Sequence, residues 1–78
     1  MADSHQNYLR DLGDHLRRMG EEAREAVAAS SDDDRIFQQG RRMAYVEVLS
    51  LMQQQATAFD LPLSDLALDG FDAERDLT

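Results

Sequence analysis

The sequence predicts an all-α protein: a two-helix antiparallel hairpin with a short C-terminal helical turn or extended segment, pairing into a dimeric four-helix bundle. Three observations lead there. Apolar residues recur at helical spacings of three and four. The single proline, Pro62, leaves the first sixty residues free to be helical. And 78 residues without one cysteine have neither the size for a generous core nor a disulfide to replace it, which leaves a partner chain as the remaining source of buried surface.

The chain is expected to be one domain, residues 1–78, with helix 1 over about 4–29, a turn at 30–33, helix 2 over about 34–60 and a packing segment at 61–78. Asp3 or Ser4 suits the first N-cap. In helix 1 Leu9, Leu12, Leu16, Met19, Ala23, Ala26 and Val27, joined by Tyr8, fill an arc of roughly 140°. Arg10, Asp14, Arg17, Arg18, Glu21, Arg24 and Glu25 occupy the other side. Gly13 and Gly20, seven apart on one edge of the arc, suit the close approach of another helix. Ser30, Ser31 and the run Asp32, Asp33, Asp34 break the pattern and place acidic residues where they can cap helix 2 and oppose its dipole.

Helix 2 carries more apolar residues than one neighbour can bury. Phe37, Ala44, Tyr45, Val48, Leu49, Leu51, Met52, Ala56 and Phe59 span an arc of roughly 180°. Tyr45, Leu49, Met52, Ala56 and Phe59 form one seam; Phe37, Ala44, Val48 and Leu51 form a second beside it. One seam can face helix 1 and the other a second protomer. The expected dimer or partner interface is the face containing Tyr45, Val48, Leu49, Met52, Ala56 and Phe59, with light scattering across a concentration series as its direct test. Arg41 projects into the same arc, so it is expected to meet Glu22 or Glu25 or to stack on Tyr45, and Gln55 raises the same question of partners. Arg42 and Val46 fall on the solvent side of the wheel.

Beyond Pro62, the residues Leu61, Leu63, Leu66, Leu68, Phe71 and Leu77 make the segment too apolar for a free tail. It is expected to pack across the bundle end or onto a partner chain, with Ser64 capping a short turn and Asp69–Gly70 turning the chain at Phe71. A compact monomer, with this segment folded back over the helix 2 arc, is the competing arrangement.

Sixteen acidic and eight basic residues give a net charge of −8 and argue against direct binding of nucleic acid. No stretch has the length and apolarity of a membrane span or a signal peptide, and a cytoplasmic location is expected. No catalytic constellation, cofactor site or metal site is expected. Inward-facing Glu residues and Glu-x-x-His pairs are missing; Asp11 and His15 are four apart but straddle the apolar border. From Asp65 to Asp76 a calcium-loop pattern is partial, with Ala67 where a ligand oxygen belongs. Cysteine and lysine are both absent, which removes two common nucleophiles. The functional expectation is a non-enzymatic, homodimeric protein–protein interaction module acting as adaptor, regulator or inhibitor of an unidentified protein partner. The alternatives are an acidic mimic blocking a nucleic-acid-binding protein and a bundle that binds a small ligand or metal.

Overall fold

The computed structural model describes residues 3–78; Met1 and Ala2 of the expected 1–78 domain lie outside the described residues. Two long helices, α1 (Ser4–Ala29) and α2 (Asp32–Ala58), form an antiparallel hairpin. A single 3-10 turn (Leu63–Leu66) and a short helix α3 (Ala73–Asp76) follow. No strand occurs among the described residues.

Each boundary has a local cause. The Asp3 side chain accepts the Gln6 backbone N–H at 2.8 Å, satisfying one of the open donors at the start of α1. At its end, the Ser30 backbone N–H and hydroxyl both donate to the Val27 carbonyl. The connection is shorter than the expected 30–33 turn: Ser30 and Ser31 alone lie between the helices. Asp32, Asp33 and Asp34 belong to the first turn of α2, where their charge opposes the helix dipole, while Ser31 holds the N-cap position without a side-chain bond. Helix α2 ends at Ala58, two residues before the expected limit, as Asp60 turns the chain through a left-handed conformation (φ 55°) ahead of Pro62.

The C-terminal segment does not sit across the end of the hairpin. It lies lengthwise in the groove between α1 and α2 and closes the core on that side. The 3-10 turn packs on α1 and α3 on α2. Buried side chains come from both partners: Val46, Leu49 and Ala56 of α2 meet Leu66, Leu68, Phe71, Ala73 and Leu77. Leu9, Leu16, Tyr45, Met52 and Leu63 pack partly buried around them. The segment thus folds back along the hairpin instead of packing across its end, but it covers the Arg42–Val46 side of α2 and leaves open, along Phe37, Val48 and Leu51, the wide apolar arc that the folded-back alternative was to cover.

Both α1 glycines serve that closure. A Cβ on Gly13 would stand 1.8 Å from the Leu66 carbonyl oxygen, so the 3-10 backbone rests directly on the helix. A Cβ on Gly20 would meet Leu77 at 2.8 Å, with Leu49 and Tyr45 at 3.4 Å.

Two residues assigned to solvent by the wheel are inside. Val46 is buried beneath the segment. Arg42 is half-buried and donates from Nη1 to the Leu77 carbonyl at 3.2 Å, with its Nε enclosed and without a partner. Both positions became interior because a third element, invisible to the helical period of α2, covers them. Ser64 falls within the 3-10 turn, which follows Pro62 without a side-chain cap.

The molecule is long, 48 × 21 × 17 Å. Its radius of gyration is 13.8 Å, where a compact chain of this length gives about 11.5 Å. Among the described residues no helix is long and apolar enough to cross a membrane.

Candidate functional site

Helix α2 divides into a covered side and an open one. Its covered side carries Arg42, Val46, Leu49 and Gln53; Gln53 Nε2 donates to the Phe71 carbonyl at 2.6 Å, and Arg42 to that of Leu77. About 160° round the helix, at 3.6 residues per turn, lies the second seam. There Phe37, Arg41, Ala44, Val48, Leu51 and Gln55 step by four, three, four, three and four. All but half-buried Arg41 are exposed. Phe37 is 66% exposed and Leu51 55%.

Helix α1 extends this open side. In an antiparallel pair, positions displaced in the same rotational sense from the contact line reach the same face of the hairpin. Tyr8, Leu12 and Met19, turned away from the Gly13–Gly20 edge, therefore bring exposed apolar side chains to the face that carries the seam. Near the end of the rod remote from the Ser30–Ser31 turn, Leu9, Leu51, Met52, Gln55, Phe59 and Leu61 border an almost wholly apolar groove of about 260 Å³.

Charge is sparse here. From Met43 to Phe59 the chain has one ionisable carboxylate, Glu47, and no cation, although the whole protein carries −8. Arg41 lies 5.8 Å above the Tyr45 ring, the stacking alternative of the sequence reading. Among the described residues it forms no ion pair with Glu22 or Glu25, both of which are exposed.

The residues expected at an interface are thus spread through the protomer. Leu49 and Ala56 are buried in the single chain, Tyr45 and Met52 are half-buried, and Val48 and Phe59 are exposed, Phe59 at 71%. Gln55 is exposed beside the groove and makes no contact with Arg41's stack. The seam that faces α1 and the C-terminal segment is the one containing Leu49; the open one contains Val48.

A second cleft, about 440 Å³, lies between α1 and the C-terminal segment, lined by three arginines (Arg17, Arg24, Arg75) and three carboxylates (Glu21, Glu25, Asp76) around Phe71. Four of these six charges are mutually engaged. Arg17 stacks over Phe71 at 4.9 Å, pairs with Glu21 at 3.3 Å and reaches the Ala67 carbonyl. Arg75 pairs with Asp76 at 2.9 Å. That contact and the Asp72 N–H hold the Asp76 carboxyl down to about 2.

Asp11 and His15 approach to 3.5 Å on exposed surface. No three metal-ligating side chains converge among the described residues. Searches of protein-family models, of curated proteins and of solved structures find no match to this chain.

Proposed function

We propose that the protein is a non-enzymatic, self-associating helical module whose interface is the open side of the hairpin, centred on Val48 and Leu51. One observation carries the reading: a single chain covers one side of its hairpin and leaves a regular apolar seam uncovered on the other.

The surface area agrees in size. The chain exposes 5466 Å², against about 4,800 Å² for a compact monomer of this mass. An excess of about 700 Å² per copy is close to the ~800 Å² that each partner contributes to a standard stable interface. A second copy is the natural occupant because closed twofold pairing needs no other component and removes the same surplus from both chains.

The net charge is read as solubility. Arg10, Arg17, Arg18 and Arg24 interleave with the carboxylates of α1 and break up any continuous acidic stripe of the kind a nucleic-acid mimic needs.

Sedimentation velocity over a concentration series tests the proposal. The parent chain is expected to move from 8.8 kDa to twice that mass in the micromolar range, while Val48→Asp and Leu51→Asp remain monomeric with unchanged helical circular dichroism. A parent that keeps the monomer mass at high micromolar concentration overturns it.

A further inference from the structure

Resting on the self-association reading, we infer that the two copies pair with α2 antiparallel to α2, each Phe37 seated in the other copy's groove beside Leu51, Gln55 and Phe59. Three features lead to this arrangement.

The first is spacing. Phe37 and Gln55 are separated by five full helical turns at 3.6 residues per turn, so they point the same way. One end of the open face therefore carries an exposed phenyl ring and the other an apolar groove. A twofold axis midway between them, near Val46, brings each ring to the opposite groove. The same operation sets Arg41 level with Leu51 and Ala44 level with Val48.

The second is the position of charge. Arg41 and Glu47 are the ionisable groups on or beside the seam between Phe37 and Gln55, since Arg42 is engaged with Leu77 on the other side. Both stand clear of the two ends of the seam, so each ring is seated against uncharged Leu51, Gln55 and Phe59 with no ion to desolvate. Near the axis Glu47 of each copy comes beside Glu47 of the other at the exposed edge, a repulsion that salt screens.

The third is size and approach. At about 260 Å³ the groove is small and apolar, below the roughly 300–1,000 Å³ of cavities that take free ligands. It is suited to one side chain. Near the axis, Gly40 and Ala44 are the smallest residues of this part of α2, and nothing lies within 4 Å of where a Gly40 Cβ would be, so the two helices can approach closely there.

Nitroxide labels on single cysteines decide the register, because the chain has no cysteine of its own. Ile36→Cys and Gln54→Cys lie on one edge of the seam, both exposed. In antiparallel dimers, labels on Ile36→Cys alone are offset along the axis by about 30 Å and on Gln54→Cys alone by about 24 Å. A mixture of the two variants yields a short distance, with an offset of about 3 Å. Pulsed electron paramagnetic resonance is expected to show this pattern, and Phe37→Ala is expected to weaken dimerisation at least tenfold with helicity unchanged. Dimers with short distances in each single-variant sample and a long one in the mixture overturn the antiparallel register while leaving self-association in place. A chain that stays monomeric in every sample overturns both.

Discussion

Replacing Gly13 by alanine pits helix propensity against a backbone contact. In an open helix the change stabilises by about 1 kcal/mol. At Gly13 the new methyl would lie 1.8 Å from the Leu66 carbonyl oxygen and 2.8 Å from its carbon, where ordinary contact begins near 3.4 Å. The obstacle is main chain and has no rotamer to escape into, so the 3-10 turn must retreat by about 1.6 Å, more than enough to forfeit most of the local dispersion contact. Leu66, 4% exposed, rides on that turn. Uncovering it costs about 1.5–3 kcal/mol, which leaves a net loss of about 0.5–2 kcal/mol after the propensity gain. Gly40→Ala supplies the control: no atom lies within 4 Å of its methyl, and it is expected to gain about 0.5–1 kcal/mol. Thermal and urea unfolding at concentrations where the chain is monomeric read both signs, at roughly 4–8 °C per kcal/mol for a domain of this size. A Gly13→Ala variant as stable as the parent would refute the argument that the 3-10 backbone rests on α1.

Other outcomes follow from the same packing. Leu77→Ala removes a fully buried side chain and is expected to cost about 2–3 kcal/mol, at the low end for such truncations because the site can partly collapse; a loss under about 0.5 kcal/mol in a urea melt contradicts its place in the core. Arg42→Ala releases the Leu77 carbonyl and should speed amide exchange in α3 while leaving α1 protected, with a cost of about 1 kcal/mol; unchanged exchange in α3 refutes the tether. Asp76 is held below its ordinary range, so its contribution is complete above about pH 4 and is lost as pH falls through about 2. Its carboxyl resonance should titrate near pH 2 in the parent and closer to 4 in Arg75→Ala. Because each copy carries −8 and the proposed contact is mainly apolar, raising salt from 20 to 200 mM is expected to strengthen dimerisation; weakening would indicate a charge-driven interface.

The hairpin was legible because its signal is periodic. Leu9, Leu16 and Ala23 on α1, and Leu49, Met52 and Ala56 on α2, repeat at helical spacing and line the contact between the helices or the core beside it. Gly13 and Gly20 were readable as sites of close approach, but the neighbour that arrives is the C-terminal segment, through the Leu66 backbone and the Leu77 side chain, where a helix was expected. The path of residues 61–78 was not, because an irregular segment has no period to reveal its target. Its docking is set by side-chain to main-chain bonds such as Gln53 to Phe71 and Arg42 to Leu77. Such bonds turn polar residues inward, so Arg42 and Val46 looked solvent-facing on a wheel that knew of two helices only. For the same reason the two seams of α2 could be separated from sequence while their assignments could not. Leu49 and Val48 are adjacent, and the covering segment decides which of them remains outside.

The lengthwise docking of the C-terminal segment has a kinetic consequence. The hairpin closes through a two-residue connection, so its first contacts are local. Its cover is joined by bonds that span 35 residues from Arg42 to Leu77 and 50 from Arg17 to Ala67. Closing loops of that length is the slower event and needs a formed groove to receive it. Assembly is therefore expected to be ordered, the helices pairing first and the segment settling last, and native-state amide exchange should open residues 61–78 before α1 and α2. A form that has lost its cover exposes Leu49 as well as the open seam, which makes it the form expected to aggregate.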